Sequence, residues 1–241
     1  VSIPILMYHQ VAPPPPAGSA YRGLTVSPRA FARQMRWLAM LGWRGLSMQD
    51  LAPYLKGQAQ GRVFGITFDD AYVNVHQHAM PILASLGFTA TTYVVAGAIG
   101  QDNAWDQPEG VAPAALMTHA HLHEWIRAGH DIGAHGVDHI KLTRLDAAGR
   151  KHQVEQSRLI LQNRFDQPVD SFCYPYGDHD QALRQAVSDA GYLNATTTHR
   201  GRARPDDDPM ALPRVGIWRR TSVLQVWHKC ATSYEDRRRC A

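Results

Sequence analysis

The run Arg62-Val63-Phe64-Gly65-Ile66-Thr67-Phe68-Asp69-Asp70 decides how this chain is read. Its apolar stretch has the length and composition of a buried strand, and it stops abruptly on two adjacent carboxylates. Two anions side by side repel unless a cation or a shared proton compensates. Neighbouring side chains on an extended segment point in different directions. One carboxylate can therefore ligate a metal ion while the other approaches a metal-bound water from another side. Asp is equally suited to cap a following helix, and the spacing alone leaves both readings open.

Outward from this run, short β-rich segments alternate with segments of helical period, the pattern of parallel strands covered by helices. Strands are expected at 3–9, 62–70, 88–96, 130–135, 170–175, 193–198 and 212–217. Ser27 and Pro28 form a cap and first-turn pair before a helix whose Phe31, Met35 and Leu38 share one face and which stops near Gly42. Another helix follows the paired Asp and ends at Gly87, and further helices are expected at 118–128, 146–165, 179–190 and 221–229. Pro13 to Pro16, 101–113 and 201–209 are rich in breakers and read as loops. About seven β/α units predict one α/β domain over 1–241, a barrel, with a loosely ordered C-terminal tail. In such a barrel the active site is built at the C-terminal ends of the strands.

The bulk properties narrow the function. A chain of 241 residues can bury a full core. The formal charge of +4 would suit an anionic partner, but the basic residues are scattered and much of the excess sits in Arg237, Arg238 and Arg239. No basic helix or nucleic-acid-binding motif accompanies that charge, so nucleic acid is not expected as a partner. No apolar run is long enough to span a bilayer, and the chain opens on Val1 without a signal-peptide pattern, which leaves room for a leader or anchor already lost. Of the three cysteines, Cys173 reads as a buried free thiol, while Cys230 and Cys240 can close a short loop of the kind an oxidising compartment permits.

A second polar strand end is His135-Gly136-Val137-Asp138-His139, which closes Asp131-Ile132-Gly133-Ala134. Two imidazoles four residues apart can meet on one face of a helical turn and bind one divalent transition metal. His119 and His123 have the same spacing, yet they fall in a helical run with Leu122, Trp125 and Ile126 and read, with His121, as helix-surface or core histidines.

Taken in order, these motifs resemble the polysaccharide deacetylases of carbohydrate esterase family four, the NodB-homology fold, a distorted (β/α)7-type barrel. The family's Thr-Phe-Asp-Asp is matched by Thr67-Phe68-Asp69-Asp70, and its paired histidines by His135 and His139, followed by Leu142 and Leu145. The resemblance implies that Asp69 is the general base and that Asp70, His135 and His139 hold one metal ion, zinc first, with cobalt, nickel or iron also suited. The family's Arg-x-Pro-Tyr/Phe motif is half matched by Tyr174-Pro175-Tyr176-Gly177, which makes the Tyr176 N–H the candidate oxyanion donor, but Cys173 replaces the Arg. Arg214, on a late strand that a barrel would bring near the first motif, is the candidate substitute. The family's late acidic His has no counterpart, since His228 lies inside an amphipathic helix. His9, ending the strand Pro4-Ile5-Leu6-Met7-Tyr8, matches instead the permuted order of the poly-N-acetylglucosamine deacetylases and is the candidate acid, with a buried structural His as the alternative. Ala71 and Gly136 depart from the family's Gly and Ser/Thr.

Sugar rings stack on aromatic faces, so Tyr174, Tyr176, Trp105 and Trp218 are candidate platforms, with Pro175 beside them, although each can equally be packing. The resemblance implies metal-dependent N-deacetylation of an N-acetylhexosamine polysaccharide or glycan, with a periplasmic or cell-envelope location favoured over the cytoplasm. O-deacetylation and glycan binding by a catalytically impaired member are the alternatives, the latter motivated by Cys173, Ala71 and Gly136. A two-metal phosphoesterase would need more carboxylate ligands. Oligomeric state is left open.

Overall fold

The computed structural model describes residues 2–239. From the N-terminus, β1 (Ile5–Tyr8) precedes the short β2 (Gln10–Val11) and β3 (Thr25–Val26), then α1 (Pro28–Met40), β4 (Arg44–Leu46) and α2 (Met48–Leu55). The alternation continues through β5 (Val63–Phe68), α3 (Met80–Leu86), β6 (Thr91–Val94), α4 (His119–Arg127), β7 (Asp131–Ala134) and α5 (Ala147–Phe165). It ends with β8 (Ser171–Cys173), α6 (Gln181–Asp189), β9 (Asn194–Arg200), β10 (Leu212–Gly216) and α7 (Val223–Ala231). Strands run in the order β1-β10-β9-β8-β7-β6-β5, all parallel, and β5 pairs back onto β1, closing the seven-stranded barrel expected from the sequence.

The sequence dictates this locally. All six residues of β5 are buried, as a strand covered on both faces requires. Ser27 caps α1 by accepting from Ala30 N at 3.2 Å, and the other long helices begin on Thr118, Asp146, Asp180 and Ser222, each accepting from a first-turn N–H. Outside the barrel, Tyr8, Phe31, Phe68 and Trp125 pack in sequence with centroids 5.2 to 6.1 Å apart, the first and last pairs edge to face and Phe31 tilted on Phe68, and lock α1 and α4 onto β1 and β5.

Two features differ from the sequence reading. β4 and α2 are additional: β4 has three residues and pairs with the first half of β5, and α2 carries Pro53 in its interior, which reads as a breaker. Up to residue 239 the C-terminal tail is docked rather than loose, because Glu235 is fully buried between Arg200 and Lys229 and Asp236 pairs with Arg202. Cys173 and Cys230 are buried, whereas Cys240, the partner considered for Cys230, lies outside the described residues. Among the described residues, no helix is long and apolar enough to cross a membrane.

Candidate active site

Parallel register assembles the site at the C-terminal end of the barrel. Tyr8 lies opposite Phe68, so the next residues, His9 and Asp69, emerge side by side, with His9 Nε2 3.7 Å from Asp69 Oδ2. Ala134 lies opposite Phe172, which sets His135 beside Cys173, and the His135 Nδ1–H donates to the Cys173 carbonyl at 2.7 Å. That bond fixes the tautomer and turns the Nε2 lone pair inward.

Asp69 is held from inside the barrel. Arg214 on β10 is 1 % exposed, and its guanidinium donates to Asp69 Oδ1 at 2.6 Å and Oδ2 at 2.8 Å. Its remaining donors reach Thr67 Oγ1 at 3.1 Å, the Thr197 carbonyl at 2.8 Å and Cys173 Sγ at 3.2 Å. The planar fork thus has a fixed direction, which a lysine could not supply. Burial alone would raise the Asp69 carboxyl, but Arg214, with His9 and His135, outweighs it and holds the group below the usual carboxylate range. Cys173, where the family motif has Arg, is the small residue against which the Arg214 guanidinium rests.

Asp70, His135 and His139 converge in a buried cluster. Asp70 Oδ1 faces His135 Nε2 at 3.5 Å and His139 Nε2 at 3.3 Å, yet it is buried with no hydrogen-bond donor. An orphaned carboxylate oxygen opposed by two imidazole nitrogens fits one divalent cation. Burial pushes the Asp70 carboxyl up, and the two histidines override this and hold it well down.

The turns at the strand ends around this cluster are strained. Asp70, Ala71, His139 and Tyr176 all have positive φ, at 72°, 55°, 52° and 61°. Each such non-glycine residue costs about 1–2 kcal/mol, and this kind of strain gathers at functional sites. Ala71, where the family has Gly, therefore adopts the turn at a cost. Gly136, at φ 75°, has Gln153 Oε1 3.3 Å from where a Cβ would stand. Gln153 reaches in from α5, accepts from Val137 N and Asp138 N at 2.9 and 3.1 Å, and donates to Asp138 Oδ2 at 2.6 Å. A helix side chain thus supports the His-to-His turn at the position where Gly136 offers no hydroxyl.

The cavity above these groups, about 120 Å³, is lined by His9, Asp69, Asp70, His135, His139 and Tyr176, with Asp106, Tyr21, Leu24 and Thr198 at its rim and Tyr174 behind. Tyr176 is 43 % exposed and sits edge-on to His139 with centroids 4.6 Å apart. Trp105 stacks on the His139 ring at 4.5 Å, so it steadies that ring. Three of the sequence-predicted substrate residues present no free face to the cavity. Tyr174 is fully buried, with its hydroxyl donating to the Met210 carbonyl and its ring stacked on His179, and Pro175 is buried beside Gly136, so neither has a free face for a sugar. Trp218 is exposed but does not line the cavity. His119 and His123 lie on α4 against Phe165, away from the site.

Sequence reasoning missed Asp106 and Gln153. Asp106 rides on the short 3-10 helix Ala104–Glu109 within a stretch read as plain loop. Burial, then the Asp70 charge, pushes its carboxyl up.

Comparison with known proteins bears on this arrangement. A family model described as polysaccharide deacetylase matches residues 56–195, more than half of the chain. By sequence, YxkH of Bacillus subtilis (strain 168) is 28% identical over 218 residues, covering 89% of this chain and 71% of that protein. The poly-β-1,6-N-acetyl-D-glucosamine N-deacetylase of Staphylococcus aureus (strain MSSA476) is 22% identical over 200 residues, covering 81% and 69%. The structure of the Streptococcus pyogenes deacetylase PplD in complex with acetate superposes with a TM-score of 0.84 at 25% identity, covering 96% of this chain and 99% of that one.

Proposed function

Because the chain belongs to the polysaccharide deacetylase family, we propose that it removes N-acetyl groups from N-acetylhexosamine residues of a polysaccharide or envelope glycan in a metal-dependent hydrolysis. The observation that carries this reading is the pairing of two units on one small cavity: Asp69 clamped by Arg214 beside His9, and the convergent Asp70, His135 and His139.

Asp70, His135 and His139 would hold one divalent cation, zinc first and cobalt, nickel or iron also suited, which supplies Lewis acidity to the water and to the acetyl carbonyl. Asp69 takes a proton from the attacking water as its oxygen bonds to the acetyl carbon. Arg214 keeps that carboxylate ionised and aimed, acting as a positioning residue through Asp69. The Tyr176 N–H donates to the developing oxyanion. His9 delivers a proton to the amine nitrogen as the C–N bond breaks, and acetate and a free amino sugar leave. Trp105 and Gln153 position His139 and the turn before it.

The departures that motivated an impaired, glycan-binding reading have local substitutes: Arg214 for the motif arginine, Gln153 at Gly136, and a turn that Ala71 adopts. This favours an active enzyme.

The test is acetate release from chitooligomers, poly-β-1,6-N-acetylglucosamine and peptidoglycan fragments, with an acetylated xylan as ester control. Turnover of at least one amide substrate, reduced at least 100-fold in Asp69→Asn, supports the proposal. Turnover of the ester alone makes the chain an O-deacetylase, and turnover of none favours a binding protein.

A further inference from the structure

Five of the 25 Lys and Arg residues, Arg29, Arg33, Arg36, Arg219 and Arg220, fall on or beside one pair of packed helices. No Asp or Glu occurs in residues 1–49 or 209–234. These two segments supply α1 and α7, which pack side by side, and the Thr221 carbonyl that precedes α7 accepts from Gln34 of α1 at 2.8 Å.

On α1 the outward residues are Arg29, Arg33, Arg36, Trp37 and Met40, the periodicity of one helix face. Beside them α7 presents Leu224 and Trp227. Met40 is 73 % and Leu224 66 % exposed, and a cleft of about 410 Å³ lies between Arg33, Arg36, Trp37, Met40 and Leu224. Arg219 and Arg220 extend the positive charge toward the rim of the catalytic cavity, where Arg219 N donates to the Gly23 carbonyl next to Leu24. Among the described residues, no carboxylate lies within 4 Å of Arg29, Arg33, Arg36, Arg219 or Arg220.

Large aliphatic side chains left in water beside Trp and Arg, with acids excluded, mark an interaction surface. The charge selects an anionic partner. The apolar component narrows it further: Met40 and Leu224 would gain little against a hydrated sugar or phosphate chain, but the boundary between headgroups and acyl chains buries aliphatic groups, welcomes Trp and satisfies Arg above it.

We propose that the α1/α7 face docks this protein onto an anionic phospholipid bilayer, with its arginines at headgroup level and Trp37, Met40 and Leu224 in the interfacial layer. Docked this way, the enzyme lies on the membrane by one flank, and the cavity rim near Tyr21 and Leu24 borders the bound face. Glycan presented at a membrane surface would then reach the site at high local concentration.

Co-sedimentation of the full chain with vesicles tests this. Binding is expected to phosphatidylcholine:phosphatidylglycerol 7:3 and not to phosphatidylcholine alone, and to weaken in 0.5 M NaCl. Arg33→Gln with Arg36→Gln removes two headgroup contacts and should lower partitioning about 30-fold. Trp37→Ser with Met40→Ser should lower it about tenfold or more, with far-UV circular dichroism and soluble-substrate turnover unchanged. The proposal is overturned if the anionic vesicles fail to sediment the protein, or if both double variants bind like the parent. It is equally overturned if light scattering shows a dimer that Trp37→Ser with Met40→Ser converts to monomer.

Discussion

Replacing Arg214 by Met keeps an unbranched apolar stem inside the barrel and deletes the guanidinium. Five hydrogen bonds disappear, and Asp69, 3 % exposed, is left ionised without its cation. Breaking a buried ion pair from one side costs about 3–5 kcal/mol. For a domain of this size that corresponds to a fall in Tm of about 10 °C. The effect depends on pH with a definite sign. Asp69 is held below its ordinary range in the parent, so the pair's contribution is present above the unfolded carboxylate pKa and is lost as pH falls through the folded one. The gap between parent and variant should therefore be widest near neutrality and close in acid. Without Arg214, burial dominates and raises the Asp69 carboxyl, which moves the acid limb of the kcat/KM profile to higher pH. Arg214→Lys retains a charge but no fork and should fall between the two. Thermal melts between pH 4 and 8, with kcat/KM on a soluble amide substrate, measure both effects. An Arg214→Met protein with parental Tm and an unmoved acid limb would refute the reasoning.

Three further outcomes follow from the geometry. Gln153→Leu removes the acceptor for two turn N–H groups between His135 and His139, and zinc affinity measured against a chromophoric chelator should fall about 10–100-fold. A Cβ on Gly177 would stand 2.0 Å from Thr198 Oγ1 at φ 70°, so Gly177→Ala should cost about 2–4 kcal/mol in urea unfolding and Thr198→Ala should restore part of it. Asp131, pushed up to about 7 mainly by burial, forfeits stability as pH rises from its unfolded pKa through 7. Asp131→Asn keeps the acceptor for Thr91 and should stabilise the protein at pH 8 by up to about 4 kcal/mol while leaving pH 4 melts little changed.

The seven barrel strands were legible because each is a short apolar run bounded by breakers, and a closed parallel barrel is what alternating strands and helices produce. Asp69, Asp70, His9 and His135 were visible as polar residues ending such runs, and register then brought them together. Arg214 is different: it is a charge inside an apolar strand, and its partner stands at the end of β5, two strands along with β1 between, so its direction became readable only with the fold. Gln153 was hidden because a polar residue on a long helix looks like solvent-facing surface. Asp106 and Trp105 sit on a two-turn 3-10 helix that carries Pro108 and stops at Gly110, which has no period to detect. Tyr174 and Tyr176 are two residues apart with similar sequence context, yet one is core and the other rim. The left-handed backbone at Tyr176 makes that distinction, and it leaves no trace in composition.

The proposed hydrolysis of an acetamide requires one metal ion held by Asp70, His135 and His139 beside the Asp69 base. Its most direct test is to strip the protein with a chelator and titrate zinc back while recording acetate release from the best substrate. Negligible turnover is expected without metal, with a rise that saturates near one equivalent and no recovery in Asp70→Asn. Full turnover by the stripped protein, or parental recovery in Asp70→Asn, would contradict it.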